Sequence, residues 1–81
     1  MDQEGGVYVE LLTKREREIF DILKANGRRW TALEELYERL WSFVPVANSS
    51  MRMHISHMRQ KGVKVESQRG SGYRLAHEHL S

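Results

Sequence analysis

The sequence predicts an α+β fold of one domain: three helices, a C-terminal two-stranded hairpin and at most one or two short extra strands. Three observations predict it. Apolar residues recur at helical spacing in three separate segments, each bounded by a helix start or stop signal. After Gly62 the period changes, and Val63 and Val65 alternate with Lys64 and Glu66 as in a half-buried strand. Residues 69–72 read Arg-Gly-Ser-Gly, where two glycines tolerate the positive φ that a tight hairpin needs. At 81 residues, about 60–65% of the unfolded surface can be buried, which leaves room for a single compact core.

Taken in order, residues 1–6 form a lead-in expected to fray, and residues 7–11 are β-prone and predict a short edge strand. Thr13 followed by Glu16 has capping-box spacing and starts the first helix. Ile19, Phe20 and Leu23, with Ile22 at the margin, give that helix its apolar stripe, and Asn26-Gly27 ends it. Arg28-Arg29-Trp30 is too short for a helix; it predicts a brief strand beside the hairpin, with Trp30 on the core and two arginines that are either solvated or on phosphate. Thr31 and Glu34 repeat the capping-box spacing. Leu33, Leu36, Tyr37, Leu40 and Trp41 then form the strongest amphipathic pattern in the chain.

Residues 42–48 carry no charge, and Pro45 forbids a continuous helix, so a loop is predicted. Phe43, Val44 and Val46 crowd into it. They either cap the core or form an apolar patch that meets another protein. The third helix is predicted over residues 51–61. Its wheel puts Met51, Ile55 and Met58 on one face and Ser49, Met53, Ser56, His57 and Gln60 on the opposite one. Arg52 and Arg59 flank the second face on one side, His54 and Lys61 on the other. Residues 77–81 are expected to fray, with His77 and His79 solvated. The predicted core includes Phe20, Leu23, Leu36, Leu40, Ile55, Met58 and Tyr73, the last packing the hairpin onto the domain.

Charge separates the two ends of the chain. From Arg52 to Arg74, six bases (Arg52, Arg59, Lys61, Lys64, Arg69, Arg74) face the single acid Glu66, whereas residues 1–51 hold more acids than bases. Such asymmetry is the footprint of a nucleic-acid-binding face. Other classes are excluded or disfavoured. With no cysteine there is no disulfide, thiolate zinc site or thiol nucleophile. No apolar run approaches the roughly 20 residues that span a bilayer. No Gly-rich phosphate loop follows a strand. Ser56 and His57 are neighbours on a helix and point about 100° apart, so they are no catalytic pair. His54 and His57 have metal-compatible spacing without a third ligand. The sequence therefore predicts no enzyme, no cofactor and no metal.

The order helix, short strand, helix, loop, helix, two-stranded wing is that of a winged helix-turn-helix. Leu12-Thr13-Lys14-Arg15-Glu16 resembles the start of the first helix of OmpR/PhoB-type effector domains. Glu34-Glu35-Leu36 with Leu40-Trp41 resembles their second helix. Residues 54–61, His-Ile-Ser-His-Met-Arg-Gln-Lys, resemble their recognition helix, and residues 69–75, Arg-Gly-Ser-Gly-Tyr-Arg-Leu, their wing. The resemblance covers residues 7–75. It implies transcriptional binding to double-stranded DNA, with the third helix in the major groove and the wing (67–74) in the minor groove. The matching positions are Met53, His57 and Arg59 on the helix and Ser67 and Arg69 in the wing.

With the wheel, the expected DNA-binding set is Ser49, Arg52, Met53, Ser56, His57, Arg59, Gln60, Lys61, Ser67 and Arg69. Ser49 and His57 stand where the family often carries arginine, and Arg52 where it often carries an acid, so sequence preference is expected to differ from a typical member. The sequence as given holds no receiver domain and a reduced N-terminal sheet, which predicts a small stand-alone regulator of bacterial or phage origin, in the cytoplasm, monomeric or weakly dimeric. The alternative is a winged helix that docks on RNA polymerase or another regulator through residues 42–48 and touches DNA weakly or never.

Overall fold

The computed structural model describes residues 11–41 and 48–80. The predicted edge strand, apart from Leu11, and Phe43, Val44 and Val46 of the apolar loop lie outside them. The described elements are α1 (Lys14–Asn26), α2 (Leu33–Leu40), α3 (Asn48–Gln60), β1 (Val65–Gln68), β2 (Gly72–Leu75) and a final 3-10 turn, His77–His79. This is the α+β winged helix, three helices followed by a two-stranded antiparallel sheet.

α1 starts as its sequence dictates. The Thr13 hydroxyl accepts from the Glu16 amide at 3.2 Å, and the Glu16 carboxylate accepts from the Thr13 amide at 2.9 Å, closing the capping box. Gly27 ends it at φ 63. The second expected capping box does not form. α2 is capped by Ala32 with no side-chain bond, because Thr31 is used elsewhere. Thr31 is buried and makes an isolated antiparallel bridge to Tyr73, while its hydroxyl accepts from Asn26 Nδ2. The extra strand thus shrinks to one bridged residue, just past the triplet expected to supply it. Trp30 is not on the core either. Its ring lies half-buried under the Arg74 guanidinium, 3.9 Å from the ring centre.

β1 and β2 pair Val65 with Leu75 and Gln68 with Gly72 at the two ends of the ladder. The core joins all three helices to the sheet: Ile19, Phe20, Leu23, Leu36, Met51, Ile55, Met58, Val63, Val65 and Leu75 are buried. Leu40 and Tyr73, expected inside, are half-buried and pack on its edge. α3 begins at Asn48, three residues earlier than predicted, so Asn48 leaves the loop for the helix.

The C-terminal residues are the clearest correction. Rather than fraying, residues 77–80 turn back. His79 is buried, accepts the Lys64 amide on Nε2 at 2.8 Å and sets its ring edge-on to Phe20 at 6.2 Å. A strand-edge amide that would otherwise lack a partner explains why a histidine near the end of the chain is held inside. His77 is exposed, as expected.

Candidate nucleic-acid interface

α3 buries Met51, Ile55 and Met58, so the opposite stripe must face outward. Arg52, Met53, Ser56, His57, Arg59 and Gln60 are all exposed, and Met53 keeps 53% of its surface. Ser49 falls in the first turn, with its side chain outside the described residues.

The cations of this face divide into two kinds. Lys61 turns away toward α1 and places Nζ 2.7 Å from Glu16 Oε1; His57 Nδ1 stands 3.9 Å from the other oxygen. The Lys61 hydrogen bond and the Thr13 amide hold the Glu16 carboxyl below the usual range, against the larger, opposing effect of its burial. Arg59 is committed to the wing. Its Nε and Nη2 both donate to the Val65 carbonyl, at 3.1 and 2.8 Å, and Nη2 lies 3.5 Å from Ser67 Oγ. Arg74 and Arg28 converge on Glu66 at 2.7 and 3.1 Å, and the Arg74 bond is the main reason that carboxyl is pulled down. Arg28 also donates to the Leu75 carbonyl, which ties it to the wing rather than to phosphate; Arg29 bonds Asn26 Oδ1 at 2.7 Å. Lys64 lies 3.9 Å from Glu78. By contrast, Arg52 and Arg69 have neither an ion pair nor a hydrogen bond among the described residues.

Those two arginines share one groove of about 510 Å³, walled by Ala32, Leu33 and Glu34 at the start of α2, by Arg52 of α3 and by residues 67–73 of the wing. Ser67, Gln68, Arg69 and Gly70 are exposed at the tip, which the Ser71 amide closes onto the Gln68 carbonyl at 2.9 Å. Gly72 fixes how near the wing comes to the helices. Its φ is 118, and a Cβ there would collide with the Thr31 carbonyl and lie 2.9 Å from the Ala32 Cα. His54 sits on the other flank, stacked on Trp41 at 6.1 Å, and Trp41 carries the Arg15 guanidinium at 4.7 Å. Burial, and then the charges of Arg15 and His57, hold His54 below the ordinary imidazole range against the pull of Glu16. Among the described residues no three His, Asp or Glu side chains gather as a metal cluster, and no helix is long and apolar enough to cross a membrane.

The family model described as "Transcriptional regulatory protein, C terminal" matches residues 9–75. The chain belongs to that family. No curated protein and no solved structure matches it. The OmpR/PhoB-type identity read from four short motifs thus agrees with a match over nearly the whole chain. The domain is therefore a DNA-binding domain of the transcriptional-regulator kind, and its family is not one of enzymes.

For an OmpR/PhoB-type domain, the predicted contact set is brought together in part. Arg52, Met53, Ser56 and Gln60 share the outer stripe of α3, and Ser67 and Arg69 the wing edge beside it. Lys61 leaves that surface for Glu16, and Arg59 serves the wing first. Glu16 itself was missed. It continues the Ile19, Phe20 and Leu23 stripe one turn toward the N-terminus, and that position signals its burial.

Proposed function

We propose that the domain binds double-stranded DNA with sequence preference, α3 entering the major groove and the wing the minor groove. The observation that carries this reading is the groove lined by Arg52 of α3 and Arg69 of the wing, neither of which has an ion pair among the described residues. Elsewhere on the face, acids or carbonyls have taken up the cations. Arg52 is suited to phosphate. Gln60 has the amide that pairs with adenine, and exposed Met53 offers apolar contact to a thymine methyl. Arg69, at a glycine-flanked tip, fits a narrow A·T minor groove, whose negative potential attracts arginine.

The structure lowers the expected electrostatic share. Six bases by sequence suggest four to six phosphate contacts and a log K against log salt slope near −4 to −5. Of those six, Arg52, Arg59 and Arg69 have no acid partner among the described residues, which gives a slope near −3, at about −0.9 per contact. A salt series on random and A·T-rich duplexes tests this. Arg69→Ala is expected to weaken binding and to relax the A·T preference beside the main site. A flat series, or no binding in low salt, would reject the reading.

A further inference from the structure

Among the described residues, Glu16 is the only buried carboxylate, and the basic side chains near it are His57 of α3 and Lys61, the residue just past its end. Oε1 accepts from the Thr13 amide and from Lys61 Nζ, and Oε2 faces His57 Nδ1 at 3.9 Å. His57 and Lys61 are four residues apart, on the edge of α3 that borders Met53 and Gln60. A buried carboxylate is tolerated only with a paired charge, so Glu16 holds Lys61 firmly. The four-carbon stem of a lysine freed from that pair would let its ammonium swing toward a phosphate backbone laid along α3.

We infer that Glu16 is a positioning residue for DNA recognition: it anchors the C-terminal end of α3 on α1 and withholds Lys61 from the duplex, so fixing how many cations the helix presents. The inference rests on the DNA-binding reading above. It also explains how a basic recognition helix avoids becoming a general polyanion binder. Non-specific affinity follows the number of neutralised phosphates, whereas specific affinity also needs Met53, Ser56 and Gln60 held at one angle.

Glu16→Gln separates these effects, because glutamine at the third helical position keeps the capping box with Thr13 while losing the charge. Random-duplex binding is expected to tighten, with a salt slope steeper by about 0.9, and the ratio of specific to random affinity to fall. Lys61→Met alone is expected to leave the slope unchanged, and Glu16→Gln with Lys61→Met to restore it. A Glu16→Gln slope equal to that of the unsubstituted protein overturns the inference. So does a Lys61→Met slope shallower by about 0.9, which would put Lys61 on phosphate already. Circular dichroism and melting check that each variant is folded; if Glu16→Gln is not, the Lys61→Met slope decides alone. Absence of salt-dependent binding by the unsubstituted protein overturns both readings, whereas salt-dependent binding with an unmoved Glu16→Gln slope or a shallower Lys61→Met slope overturns this one only.

Discussion

Gly72→Ala is the sharpest single test of how the wing is joined to the helices. Gly72 has φ 118, and an added Cβ would meet the backbone of Thr31 and Ala32, which has no rotamer with which to yield. Two costs follow. The conformation itself strains an L-residue by roughly 1–3 kcal/mol. To relieve the clash the wing must lift, and that breaks the Thr31–Tyr73 bridge, whose two backbone bonds measure 2.8 and 3.0 Å. At about 1 kcal/mol each, their loss adds roughly 2 kcal/mol, for about 3–5 kcal/mol in all. A domain of this size holds about 4–12 kcal/mol in total. The variant should therefore melt about 12–40 °C lower, at about 4–8 °C per kcal/mol, or fail to fold. Urea and thermal denaturation measure this directly. Gly70→Ala is the control: its φ is 84 but nothing lies within 4 Å of the added carbon, so only the conformational strain of roughly 1–2 kcal/mol applies. Equal losses at the two positions would refute the close approach as the reason for Gly72.

Two further outcomes are expected. Leu36 is fully buried where α2 meets the core, so Leu36→Ala should cost about 2–5 kcal/mol, and an unchanged melting temperature would remove it from the core. His79 accepts a backbone amide on Nε2 and must be neutral to do so; burial lowers its pKa from 6.5. The unfolded chain then binds the proton more readily, so stability is full above about pH 6.5 and falls as the pH drops toward the lowered folded value. The buried flank of His54 acts in the same direction, and Glu16 and Glu66 add their own loss only below about pH 4.5. His79→Gln should lessen, without abolishing, the decline in melting temperature between pH 7 and 5. An unaltered decline would show that the His79 latch does not carry it.

Local signals determined much of this protein. The Thr13–Glu16 box, the helical stripes, the break at Gly62 and the glycines of the tip are short-range instructions, and each appears where the sequence placed it, as the winged-helix order does. What the sequence left open depends on neighbours far along the chain. Thr31 and Glu34 have capping spacing, yet Thr31 serves the wing because Tyr73 lies opposite it, 42 positions later in the fold's own register. His79 looks like tail until Phe20 and the Lys64 amide are beside it. The charge count shows the same limit. Six bases in one stretch announce a polyanion-binding end, but Coulomb pairing acts through space, and only the packing of α1 against α3 and of β1 against β2 decides that Glu16 takes Lys61 and Glu66 takes Arg74. Of the six bases, the structure leaves Arg52 and Arg69 without an ion pair or hydrogen bond among the described residues, a distinction that no charge count could draw.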